Sequence, residues 1–164
     1  MPSRRLIALF VLGVAALVAA VLIAGTRSTT RRAAPPLPRQ VLVPPAVTLA
    51  NLRGKPALIN FWASWCHPCQ EEAPRLQRFA ASLRGRGHLV GVDYSDNLHD
   101  ARAFIRRYRW TFPVLRDGSG TTGSAYGIPG LPTTAVLNAQ GRIVKTLIGP
   151  QTQTTLDSAL KSAQ

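Results

Sequence analysis

The sequence predicts an α/β domain built on a mixed sheet flanked by helices, with one membrane-spanning helix ahead of it. Three observations carry this expectation. Twenty uncharged residues run from Leu6 to Gly25, and as a helix they would cover roughly 30 Å, the thickness of a bilayer's hydrocarbon core. From about residue 57 onward, short apolar runs alternate with stretches of helical period. The first two runs are separated by one such helix, which favours a parallel pair, and the last two are joined by a tight turn, which makes an antiparallel hairpin.

Composition narrows the classes of function. Twenty Lys and Arg stand against seven Asp and Glu, for a net charge of +13. Hydrophobic residues at 46%, with thirteen Pro and thirteen Gly, exclude a wholly disordered or collagen-like chain. Two cysteines are too few for a disulfide-stapled mini-protein or a four-thiolate metal site. The basic residues are scattered and no aromatic platform interleaves them, so nucleic acid is not an expected partner.

Three regions follow in order. Residues 1–25 are a short stub and the transmembrane anchor. The apolar run exceeds the roughly 7–15 residues of a signal-peptide core, so the anchor is read as uncleaved. Arg4 and Arg5 precede it and Arg27, Arg31, Arg32 and Arg39 follow it, so positive charge alone leaves its orientation open. Residues 26–46 read as a linker, because Pro35, Pro36, Pro38, Pro44 and Pro45 favour an extended chain. Its arginines face solvent or anionic headgroups.

Residues 47–164 form the folded domain. Ala57–Trp62 follows Gly54-Lys55-Pro56 as a buried central strand. Cys69, Ala73, Leu76, Ala80 and Leu83 then mark one face of a helix that stops at Gly85 and Gly87. His88–Asp93 is a second strand, and Asn97 caps a second helix with Leu98, Ala101, Ile105 and Tyr108 inward. Gly118–Gly123 spells GxGxxG, but no acid stands about twenty residues later, so it reads as a flexible loop and not a dinucleotide site. Thr133–Leu137 turns through Asn138–Gly141 into Arg142–Ile148, and a last helix starts at about Thr152.

Both cysteines lie in Trp65-Cys66-His67-Pro68-Cys69, where the first strand meets the first helix. Cys66 precedes the first helical turn, where free N–H groups and the helix dipole stabilise a thiolate. His67 adds positive charge beside it, and its replacement would then lower the reduction potential. Pro68 suits the first turn because its missing N–H has no partner to lose there. Cys69 lies one turn on, on the apolar face. An exposed attacking sulfur and a shielded resolving one are what thiol–disulfide exchange requires. Two readings compete. A metal site would need further ligands, and His88 and His99 stand in unrelated segments. An inert disulfide would close too short a loop to stabilise much.

The segment Asn60–Cys69, followed by Glu72 and Pro74, resembles the thioredoxin fold, and more narrowly its membrane-anchored TlpA/ResA/CcmG branch. Gly127-Ile128-Pro129-Gly130-Leu131-Pro132-Thr133-Thr134 resembles that branch's second active-site loop, and Gly91–Asp96 its following strand. The likeness spans about Leu49 to Leu160. It implies a thiol–disulfide oxidoreductase outside the cytoplasmic membrane, held by a single pass, with no cofactor and no metal. Its partners would be protein disulfides, such as apocytochrome c or its maturation factors, and a membrane electron donor. Cys66 matches the nucleophile, Cys69 the resolving thiol, and Pro132 the proline that is cis in the fold. Trp65, Leu131 and Pro132 would contact substrate. Asn60 stands where ordinary thioredoxins carry a buried Asp. Glu72 matches an acid of the reductase branch; the other reading makes it a solvated first-turn acid. Thr133 departs from the Glu that some cytochrome-maturation members carry. A disulfide-forming oxidase is the alternative within the class, and a metal-carrying or redox-inert assembly factor the alternative outside it.

Overall fold

The computed structural model describes residues 32–164. The anchor expected over Leu6–Gly25 lies outside the described residues. Among the described residues, no helix is long and apolar enough to cross a membrane.

Seven strands form one mixed sheet among these residues, in the order β1 (Arg32–Ala33), β7 (Arg142–Ile148), β6 (Thr133–Leu137), β3 (Ala57–Trp62), β4 (His88–Tyr94), β5 (Val114–Asp117) and β2 (Gln40–Val43). Strand β3 (Ala57–Trp62) is wholly buried, as its mostly apolar run requires. It pairs in parallel with β4 (His88–Tyr94) and antiparallel with β6 (Thr133–Leu137). β6 continues into β7 (Arg142–Ile148) as the expected hairpin. Alternation along β3 divides the interior. Leu58 and Trp62 face one cluster with Phe79, Phe104 and Trp110; Ile59 and Phe61 face the other with Leu115 and Tyr126.

Helix α2 (His67–Ser82) and helix α3 (Leu98–Tyr108) cover the first face with α5 (Gln153–Ser162). The Asn97 side chain caps α3 by accepting the His99 N–H at 2.8 Å, and Thr152 caps α5 by accepting the Thr155 N–H at 3.1 Å. Trp62 is core packing. It stacks on Phe104 with ring centroids 4.5 Å apart and meets Trp110 edge-on at 4.8 Å.

The other face carries short elements that the periodicity does not show. Helix α1 (Leu49–Leu52) and helix α4 (Thr121–Tyr126) are too short for a helical repeat to register. The Gly118–Gly123 stretch, expected as a flexible loop, instead enters α4. There Gly123 packs so closely on Tyr94 that an added Cβ would stand 2.5 Å from its ring.

The described part of the stretch read as a linker also differs, since the compact unit begins at Arg32. Strand β1 (Arg32–Ala33) pairs with β7, and β2 (Gln40–Val43) pairs with β5 (Val114–Asp117). The chain is extended there, as its prolines require. Both strands lie at sheet edges, where proline and a missing ladder partner are tolerated. Ala34, Leu37 and Val47 are buried between and beyond them.

Candidate active site

The site forms where β3 ends and α2 begins. Cys66 is the N-cap of α2 and is joined to Cys69 by a disulfide. The Cys69 N–H donates to Cys66 Sγ at 3.2 Å, so the first helical turn presents a donor to the sulfur that would carry charge once reduced. Pro68 sits within that turn. The expected contrast between an exposed and a shielded sulfur is slight in this oxidised form: Cys66 is 5% exposed and Cys69 2%.

His67 departs from expectation. Its side chain is 81% exposed, and Nδ1 lies 3.6 Å from Glu71 Oε1, one turn along the same helix. Water and a carboxylate surround the imidazole, so little of any charge it carries reaches the sulfur. His67→Ala is therefore expected to leave the reduction potential within about 30 mV of the parent, the tenfold mark for a two-electron couple. Equilibration with a glutathione couple measures this. A larger fall would return the imidazole to the thiolate.

Glu72 is a buried residue and not a solvated first-turn acid, being 1% exposed. Its Oε2 accepts from Asn60 Nδ2 at 3.1 Å, and its Oε1 accepts from the Gln151 N–H at 2.8 Å. Burial pushes its carboxyl above the usual range, against the lowering effect of the Gln151 and Asn60 hydrogen bonds and of nearby Arg75. Asn60 spends its other amide hydrogen on Thr134 Oγ1 at 3.0 Å. The residue in place of a buried Asp thus holds the glutamate to β6. Gln151, from the β7–α5 turn, is a partner that no local pattern announces.

The second loop joins the site through sheet register. The Leu131–Pro132 bond is cis, and Thr133 pairs with Phe61 near the end of β3 that leads to Cys66. The Gly149 N–H donates to the Pro132 carbonyl at 2.9 Å, and Thr133 Oγ1 donates to the Gly130 carbonyl at 2.7 Å. Leu131 is half-buried between the two core clusters. Trp65 is exposed, its indole N–H reaching the Ser95 carbonyl at 3.4 Å. A cleft of about 390 Å³ lies beside it, lined by Phe104, Arg107 and Tyr108 of α3. Ile148, opposite Thr133 at the end of β7, is also a large exposed apolar residue. Its place within a strand pattern leaves its exposure without a signal in the sequence.

Asp96 was not singled out either. It accepts the Ser64 N–H at 2.6 Å, the Ser64 hydroxyl at 2.9 Å and the Asn97 N–H at 2.7 Å. Ser64, two residues before Cys66, in turn accepts the Gln70 side-chain amide at 3.1 Å. The turn carrying the nucleophile is thus tied to both α2 and the β4–α3 connection. Among the described residues, His, Cys, Asp and Glu form no group of three that could hold a metal ion.

The chain is similar in sequence and fold to known proteins. The AhpC/TSA family pattern matches residues 32–146. The thiol-disulfide oxidoreductase ResA of Bacillus thuringiensis is 30% identical over 116 residues, covering 70% of this chain and 67% of its own. The crystal structure of StoA from Bacillus subtilis superposes with a TM-score of 0.69 at 30% identity, over 77% of this chain and 96% of its own. A putative thiol:disulfide interchange protein DsbE from Chlorobium tepidum gives 0.70 at 26% identity, over 80% and 95%. With its disulfide at the strand–helix junction of a thioredoxin-like sheet, the chain belongs to the AhpC/TSA family, as a thiol–disulfide oxidoreductase of the ResA and DsbE type.

Proposed function

We propose that the chain works as a reductant of protein disulfides on the outer side of the cytoplasmic membrane, anchored through Leu6–Gly25. The observation that carries this reading is the buried Glu72, one turn beyond Cys69 on the same helix. The Cys66 thiolate attacks a substrate disulfide, forming a mixed disulfide and releasing one substrate thiolate. Cys69 then gives its proton to Glu72, and its sulfur attacks Cys66. The second substrate thiol leaves, and the pair ends as the disulfide seen here. A membrane electron donor returns two electrons, and two protons restore the dithiol.

The direction follows from charge. Strong oxidants of this kind stabilise their reduced thiolate. Here the motif's histidine is turned to water and Glu71, leaving chiefly the helix end to hold the anion. Trp65, Leu131, Pro132 and Ile148 provide apolar surface for an extended substrate segment. Apocytochrome c, whose haem-binding CxxCH pair must be reduced, has the chemistry this site would serve.

The test is turnover. The reduced full-length chain is expected to reduce a disulfide-bonded CxxCH peptide. Trp65→Ala is expected to raise KM roughly tenfold with kcat little changed, the effect of losing about 1.4 kcal/mol of binding. No reduction of the peptide would remove this substrate class, and an unchanged KM would remove Trp65 from the binding surface.

A further inference from the structure

The charges of the described surface are almost all of one sign. Twenty Lys and Arg stand against seven Asp and Glu, and four of the acids, Glu72, Asp93, Asp96 and Asp117, are buried. The other three lie against basic side chains: Glu71 against His67 at 3.6 Å, Asp100 against His99 at 3.1 Å, and Asp157 against Arg86 at 3.1 Å. The arginines of α3 are left without a counter-charge. Arg102, Arg106 and Arg107, with Arg109 just past the helix end, are exposed, and none forms an ion pair among the described residues. The helix dipole favours cations in the last turn. That accounts for the charge of Arg106 and Arg107, but not for Arg102, nor for where Arg107 is placed.

Arg107 lines the cleft of about 390 Å³ that Ser64 and Trp65 border from the nucleophile's side, and Phe104 and Tyr108 from α3. Its guanidinium carbon lies 5.6 Å from the centre of the Tyr108 ring. That contact restrains a long side chain before a partner arrives, so less entropy is lost on binding. Asp100 also lines the cleft, but it stands two helical turns from Arg107, about 10 Å along the axis. It gives the cleft a polarity and does not neutralise Arg107. Trp65 directly precedes Cys66, so a chain seated in the cleft is already beside the nucleophile. An anionic membrane would also suit the arginines. Laid on lipid, however, this side of α3 would close the cleft to a protein substrate.

We propose that Arg107, together with Arg102, Arg106 and Arg109, forms a docking surface for an acidic segment of the protein substrate, with one carboxylate side chain seated between Trp65 and Tyr108. The rings supply apolar contact and Arg107 the charge. The cleft then selects among disulfides that the cysteine pair alone would treat alike. The proposal rests on the exchange reading for the identity of the partner, but not for whether the segment binds.

The experiment first measures binding apart from exchange. The full-length chain in a neutral detergent is titrated with fluorescein-labelled peptides whose cysteine pair is replaced by serines, flanked either by glutamates or by glutamines. At low salt the glutamate peptide is expected to bind roughly tenfold tighter, the strength of about two exposed ion pairs. The ratio is expected to fall towards one at about 1 M salt, where the screening length is about 3 Å. Arg107→Gln is expected to cut the low-salt ratio roughly threefold. Lys161→Gln, an equal change of net charge at the end of α5, is expected to keep it. Equal binding of the two peptides, or the same loss in both variants, would overturn the proposal. In lipid nanodiscs the Arg107-dependent preference is expected to survive the inclusion of phosphatidylserine; its disappearance there would assign the arginines to the membrane and overturn the proposal too. Disulfide-bonded forms of both peptides are then mixed with the reduced chain. Binding without reduction would remove the exchange reading and leave the docking surface standing, whereas reduction of both at equal kcat/KM would do the reverse.

Discussion

Cys66→Ser is expected to abolish disulfide exchange, while Cys69→Ser is expected to accumulate mixed disulfides with substrate. The asymmetry follows from the helix end. Cys66 is the N-cap and its sulfur receives the Cys69 N–H, so reduction leaves it beside a donor that favours the thiolate. Cys69 is held on the buried face among Glu72, Ala73 and Leu76, where a thiol keeps its proton. Non-reducing gels with mass spectrometry identify the trapped species. Alkylation of the reduced protein at neutral pH provides the control. Faster modification of Cys69 than of Cys66 would reverse the two roles.

Glu72→Gln is expected to slow turnover of a protein disulfide by roughly a hundredfold, the lower range for general acid–base catalysis. The resolving step needs a group that takes the Cys69 proton in an apolar place, and Asn60 does not titrate. Glu71→Gln is expected to stay near the parent, because Glu71 is exposed and turned to His67. Stopped-flow turnover from pH 5 to 9 separates the two. Identical pH–rate curves for Glu72→Gln and the parent would remove the acid–base role.

Stability provides a second readout. Burial raises the Glu72 carboxyl above its ordinary 4.5, so the folded chain binds this proton more tightly than the unfolded chain does. The resulting stabilisation is complete below the ordinary value and is lost as pH rises through the raised one. Glutamine does not titrate, so that dependence is expected to vanish in urea unfolding of the variant.

The parts of the fold legible in the sequence are those whose cause is local. β3 announces itself as an apolar run bounded by Gly54-Lys55-Pro56, and α2 by the spacing from Cys69 to Leu76. Asn97 and Thr152 are caps whose partners stand two and three residues away. What was not legible depends on partners far along the chain. β5 is four residues long and carries Arg116 and Asp117; it is a strand because β4 and β2 flank it. β2 looked like linker because a proline-rich edge strand and a proline-rich tether share one composition. Glu72 was placed correctly on its helix, but its backbone donor lies 79 residues on. His67 shows the reverse failure. Its neighbour in sequence is Cys66, yet its neighbour in space is Glu71, four residues ahead on the helix.

The central claim is that the Cys66–Cys69 pair is held as a reductant. Its most direct test is the reduction potential of the full-length chain, equilibrated with defined thiol–disulfide couples at pH 7 and read by differential alkylation. An imidazole turned to solvent and a sulfur supported chiefly by the helix end predict a value at the thioredoxin end of the range, about −270 mV or below. A value near the roughly −120 mV of a strong oxidant would contradict the account, because it would require a stabilised thiolate that the geometry at His67 does not provide.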